Sequence, residues 1–68
     1  MKLSARNQLK GKVAGIEKGL VSSKVKIDVG NGMIITSTVT TETIEDLAFS
    51  TGDDVVAIIK ASDVIIGK

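Results

Sequence analysis

The sequence predicts an all-β fold, a five-stranded OB-like Greek-key barrel with one short helix between strands 3 and 4. Three observations lead there. Residues 20–29 alternate, with Val21, Val25, Ile27 and Val29 on one face and Ser22, Lys24, Lys26 and Asp28 on the other, the period of two that marks a half-buried strand. Gly30-Asn31-Gly32 then offers a tight hairpin turn into a segment rich in Ile, Thr and Val. One stretch alone, 41–48, carries apolar residues at helical spacing.

Taken in order, a first strand is expected over 8–17, bent or bulged at Gly15, where a side chain is missing from the pleat. Lys18-Gly19 turns it into the second strand, 20–29, and the Gly-Asn-Gly hairpin leads to the third, 33–40. Thr40 or Thr41 can cap a helix that runs to Ala48, with Glu42 in the first turn, where the dipole favours an anion, and with Ile44, Leu47 and Ala48 as its apolar stripe. Ser50-Thr51-Gly52-Asp53 breaks it; 55–59 forms a fourth strand and, after Lys60-Ala61-Ser62-Asp63, 64–66 a fifth. Strands separated by turns, with one helix after the third, fit an OB-type barrel. The last two strands are apolar on both faces. A strand on the outside of a lone barrel alternates, so a second subunit is expected to cover the outer face.

Size points the same way. A chain of 68 residues makes at most one domain, and it buries only ~60% of the surface its unfolded form exposes. Scaffolds this small add disulfides, a metal or a partner subunit. With no Cys and no His, thiolate and imidazole chemistry are absent, and oligomerisation is the staple left. Nine Lys/Arg face eight Asp/Glu, and Phe49 is the one aromatic residue. Neither a basic surplus nor a stacking platform for bases is present, which argues against nucleic acid. No apolar run approaches the ~20 residues of a membrane span, and Met1 to Arg6 lacks the apolar stretch of a signal peptide. The expected location is the cytoplasm.

Catalysis finds little support. A Ser–Lys pair, Ser4 or Ser62 with Lys60, lacks an accompanying acid or oxyanion motif. Asp53-Asp54 sits in a turn, where carboxylates are ordinarily solvated, and the glycines match no phosphate-loop spacing. The chain is expected not to be an enzyme. Two polar clusters remain, Ser4-Ala5-Arg6-Asn7-Gln8 and Lys60-Ala61-Ser62-Asp63, each with a cation, a small residue and a hydroxyl beside an apolar strand. A dianionic oxyanion carries only acceptors, so its site is built from donors: guanidinium, ammonium, hydroxyl and backbone N–H. On residue chemistry alone, the clusters fit either such a site or ordinary polar loops.

The two clusters, Lys18-Gly19 in the first turn, the Thr/Val-rich third strand, Ile44-Glu45-Asp46-Leu47 in the helix and Gly52-Asp53 before the fourth strand follow one another in a pattern that resembles the molbindins. These are small molybdate- or molybdopterin-binding proteins of the Mop/TOBE type. Their unit also occurs in molybdate-responsive transcription regulators and in some transport ATPases. The resemblance spans essentially the whole chain. It implies a hexamer built as a trimer of dimers, strand exchange between subunits, and molybdate, with tungstate as a substitute, held at subunit interfaces without an organic cofactor. One kind of site would draw on Ser4, Ala5, Arg6, Thr38, Thr40, Lys60, Ala61 and Ser62. A second kind, relying on backbone donors, would lie at Lys18, Gly19, Leu20 and Val21. The implied role is storage or homeostasis of the oxyanion. A nucleic-acid-binding OB module and a purely structural oligomerisation module are the alternatives.

Overall fold

The computed structural model describes residues 6–68. Strands β1 (Asn7–Glu17), β2 (Ser22–Gly30) and β3 (Met33–Thr40) lead to helix α1 (Thr41–Leu47), and strand β4 (Asp54–Ile59) is followed by a 3-10 turn, Ala61–Asp63. The four strands form one antiparallel sheet in the order β3-β2-β1-β4. β1 therefore lies inside the sheet, while β3 and β4 are its edges.

Alternation in β2 decides which face is inward. Val25 and Ile27 are buried, and Ser23 lies with them; Ser22, Lys24, Lys26 and Asp28 point outward. Val13 of β1, only 1% exposed, Ala57 of β4 and Ile44 of α1 complete the buried cluster, with Ile16, Val29, Ile35, Val39, Phe49 and Val55 packed around it. The sheet curls around this core until β3 and β4 face one apolar cavity of about 260 Å³, lined by residues that include Ile35, Val39, Phe49, Val55, Ala57 and Ile59.

The hairpin follows the expected turn: Gly30, Asn31 and Gly32 all adopt positive φ. Helix α1 begins where Thr40 accepts a hydrogen bond on its hydroxyl from the Thr43 N–H at 3.2 Å, an N-cap. It ends at Ala48, a left-handed residue at φ 51°, where the N–H groups of Ala48 and Phe49 reach back to the Glu45 and Ile44 carbonyls.

Several expectations need correction. Four strands are present among the described residues, not five. Val64-Ile65-Ile66 forms no strand, and Ile65 and Ile66 are 94% and 90% exposed. A strand exists only through its ladder, and this segment pairs with neither edge strand, β3 or β4. β2 starts at Ser22, not Leu20, and Val21 lies outside the core with its side chain in solvent. α1 stops at Leu47, whose side chain is exposed, so Ile44 is the one apolar residue that anchors the helix in the core, with Thr41 buried beside it. The irregularity expected at Gly15 is present as a register shift between Val13 and Gly15.

The two glycines of β1 have opposite roles. A Cβ at Gly11 would stand 2.5 Å from the Asp28 carbonyl oxygen and 2.8 Å from Ile27 Cγ2, whereas at Gly15 it would meet nothing within 4 Å. Gly11→Ala is expected to destabilise the fold by about 1–3 kcal/mol through overpacking. Gly15→Ala is expected to stabilise it by ~0.4–1 kcal/mol by restricting the unfolded chain. Urea denaturation at one protein concentration checks both; equal effects would show that β1 does not approach β2 as described.

A candidate oxyanion site

The β1·β4 ladder runs antiparallel from Lys12 opposite Asp54 to Asn7 opposite Ile59. Arg6 lies one residue beyond that last pair on one strand and Lys60 one residue beyond it on the other. Two segments more than fifty positions apart in sequence thus end side by side, and both cations belong to the same end of the sheet. Ser4 and Ala5 lie outside the described residues.

The 3-10 turn makes the Lys60 end a donor surface. Asp63 N–H donates to the Lys60 carbonyl at 2.8 Å and Val64 N–H to that of Ala61 at 3.3 Å. The N–H groups of Ala61 and Ser62, at the start of that turn, find no acceptor among the described residues. Lys60, Ala61 and Ser62 are all exposed, as is Arg6. Neither cation is in an ion pair among the described residues; the pairs present are Lys12–Asp54 at 2.8 Å, Lys18–Glu45 at 3.4 Å and Lys26–Glu17 at 3.4 Å. In the first, the hydrogen bond and then the charge of Lys12 hold the Asp54 carboxyl below its ordinary range, and Lys12 is raised in turn. Both groups are open to solvent, which screens the pair.

Thr38 and Thr40 lie elsewhere. Thr40 is opposite Ser22, Thr38 opposite Lys24, and Lys24 opposite Glu17. In the ladder they belong to the Glu17 end of β1, but the curl of the sheet brings their neighbours Ser37 and Val39 to the same cavity as Ile58 and Ile59, which precede Lys60. Their hydroxyls also differ. Thr40 Oγ1 caps α1 and is 2.7 Å from Thr43 Oγ1. Thr38 Oγ1 bonds to no described residue and stands beside Lys24 on the outer face.

The turn Lys18-Gly19-Leu20-Val21 is built differently again. Gly19 is bonded at both its N–H and its carbonyl to buried hydroxyls, and Thr41 N–H donates to the Val21 carbonyl at 2.8 Å. The N–H groups of Leu20 and Val21 find no acceptor among the described residues, and Lys18 is tied to Glu45. The cavity between β3 and β4 is mostly apolar, with no charged group among its lining, only Thr36 and Ser37 as hydroxyls, so an anion there would lack a counter-charge.

Ser23 was not among the expected site residues, and Thr41 was expected only as a candidate helix cap. Ser23 was findable, because it occupies an inward position in the alternation of β2, where a hydroxyl needs a buried partner. Among the described residues no cluster of His, Cys, Asp or Glu could hold a metal cation, and no helix is long and apolar enough to cross a membrane.

This curled antiparallel sheet with one short helix and a donor-rich end defines a class. Residues 3–66 match the TOBE domain, and the chain belongs to that family. It is 49% identical over 67 residues to a probable molybdenum-pterin-binding protein of Haemophilus influenzae, covering 98% of this chain and 97% of the relative. Two solved structures share its fold throughout. The molybdate-binding protein of Sporomusa ovata superposes with a TM-score of 0.92 at 35% identity, covering all of both chains. MopII of Clostridium pasteurianum superposes with a TM-score of 0.91 at 40% identity, covering 98% of this chain and all of the other.

The two threonines separate by experiment. Thr40→Ala should cost about 1 kcal/mol through the lost cap, while Thr38→Ala should stay within ~0.5 kcal/mol of the parent. Urea midpoints read both, and a Thr38→Ala loss as large as that of Thr40→Ala would contradict the assignment of the cap to Thr40.

Proposed function

We propose that the chain, acting as a single unit over residues 1–68, binds molybdate, with tungstate as a substitute, for storage or homeostasis in the cytoplasm. It does so as an oligomer, a hexamer arranged as a trimer of dimers, and performs no catalysis. The observation that carries this reading is the juxtaposition of Arg6 with Lys60, Ala61 and Ser62 at one end of the β1·β4 ladder. The names of the relatives supply the ligand.

The chemistry suits a tetrahedral dianion. Arg6 offers a planar fork to two oxygens and Lys60 a compact point charge. The amides of Ala61 and Ser62 and the hydroxyls of Ser4 and Ser62 add neutral donors. Thr38 or Thr40 would join such a site from a second copy. An anion seated between chains therefore draws donors from both.

The same surplus of uncovered surface favours assembly. β3 and β4 are free edges bracketing an apolar cavity, and Val64-Ile65-Ile66 is an exposed apolar segment without a ladder partner. Strand exchange would seat this segment of one copy in the cavity of the next. We read the ligand as the bare oxyanion. Phe49 is the one aromatic ring, and it is partly buried against the core, which gives a pterin little to stack on. Sulfate is smaller than molybdate. A rigid set of donors spaced for the larger anion leaves some of its bonds unmade, at ~1–3 kcal/mol for each buried donor left unsatisfied.

Native mass spectrometry with and without molybdate tests the reading. The expected result is a hexamer that takes up the anion and melts several degrees higher with it, since a ligand bound only to the assembly stabilises it by mass action. Arg6→Ala should keep the assembly and weaken binding at the Arg6 end by about 10- to 100-fold, the equivalent of ~1.5–3 kcal/mol for a charged hydrogen-bonding group. A monomer whose melting is indifferent to molybdate would refute the proposal.

A further inference from the structure

The polar atoms buried in this small core form one closed ring. Thr41 Oγ1 donates to the Gly19 carbonyl at 2.7 Å, and Ser23 Oγ lies 2.8 Å from Thr41 Oγ1. A hydroxyl has a single proton. Thr41 uses its own on Gly19, so Ser23 donates to Thr41. Ser23 Oγ is then left as an acceptor, and Gly19 N–H meets it at 3.4 Å. The ring runs from the Gly19 N–H through Ser23 and Thr41 and returns to the carbonyl of the same Gly19. Ser23 is 2% exposed and Thr41 7%, and no buried side-chain polar atom among the described residues is left without a partner.

Such a ring is an unusual use of core space. Two apolar residues of similar size would fill the same volume without the desolvation of two hydroxyls. The ring fixes one peptide unit, and the neighbouring contacts fix its surroundings. Thr41 N–H holds the Val21 carbonyl at 2.8 Å, and a Cβ on Gly19 would stand 2.4 Å from the Ser22 carbonyl oxygen. The turn is thus anchored at Gly19 N–H, Gly19 C=O and Val21 C=O. The N–H groups between those anchors, of Leu20 and Val21, are the ones with no acceptor among the described residues. The Leu20 and Val21 side chains are exposed. Lys18 is drawn to Glu45, which partly neutralises it and leaves the amides as the donors of this turn.

We infer that Ser23 and Thr41 are positioning residues, whose hydroxyl ring around Gly19 presents the Leu20 and Val21 amides to the oxyanion. This rests on the molybdate reading above and adds the groups that shape its second kind of site. Neither hydroxyl touches the anion. Each acts through the peptide it holds, and preorganised amides bind without the cost of ordering a loop.

The test uses the full-length chain in an Arg6→Ala background, where the anion binding that survives reports the turn alone. Calorimetric titration with molybdate should show that adding Thr41→Val, which keeps the shape and deletes the hydroxyl, weakens this binding about tenfold, the usual scale for groups that orient a ligand's partners. Thr41→Ser should restore it, and Thr41→Val alone should leave the Arg6-dependent sites at parental affinity. A role confined to stability would instead lower the melting temperature and leave anion affinity, measured well below melting, unchanged; that result overturns the inference. Should Thr41→Val not fold, Ser23→Ala and the unmutated ring supply the answer. By NMR, the Gly19 amide should exchange slowly before ligand is added, and molybdate should shift the Leu20 and Val21 amides. Fast exchange at Gly19, or unmoved Leu20 and Val21 resonances, overturns it equally. Arg6→Ala protein that takes up no molybdate would remove the turn as a site while leaving the Arg6 site standing. Parent protein that takes up none would remove both.

Discussion

Strand β1 is hydrogen-bonded along both edges, to β2 on one side and β4 on the other. The rest of the architecture depends on that double pairing. It makes β1 the interior strand, places Val13 at the most enclosed point of the core, and requires Gly11 where β2 passes too close for a side chain. It also sets the polar ends. Because β1 and β4 run antiparallel with Asn7 opposite Ile59, the residues just outside the ladder are a guanidinium and an ammonium. Both are exposed and in no ion pair among the described residues, which leaves them open to an anion.

The same pairing leaves β3 and β4 exposed as edges and leaves Val64-Ile65-Ile66 without a partner. Among the described residues the buried apolar core consists of five side chains, Val13, Val25, Ile27, Ile44 and Ala57. So small a core would gain from a second chain that covers its apolar surface, and in the proposed function an anion drawing donors from both chains ties ligand to assembly. Binding and oligomerisation are, on this account, two effects of one incompletely satisfied sheet.

Much of this was legible in the residues. The alternation of β2, the Gly-Asn-Gly hairpin and the Thr cap are local signals, and each led to an element within a residue or two of its place. Local signals failed where the answer is nonlocal. Val64-Ile65-Ile66 has the composition of a strand, but it pairs with neither edge of its own sheet. Leu20 and Val21 continue the β pattern by composition, yet the backbone turns there because Gly19 is held by Ser23 and Thr41. Leu47 fits a helical stripe that the sheet is too narrow to cover. For the site, the donor-rich character of the Arg6 and Lys60 clusters was readable, and so was their resemblance to a known pattern. Their proximity was not, since it follows from the β1·β4 register. Nor was the place of Thr38 and Thr40 on an edge strand, opposite Lys24 and Ser22, which follows from the strand order and register.

The central claim is that one anion is held by donors from more than one chain. A crystal of the molybdate-soaked protein, measured at the molybdenum absorption edge, tests it most directly. The account predicts anomalous peaks at contacts between chains, with Arg6 or Lys60 from one copy and donors from another around each. Peaks enclosed by a single chain, or no ordered molybdenum at the Arg6–Lys60 end, would contradict it.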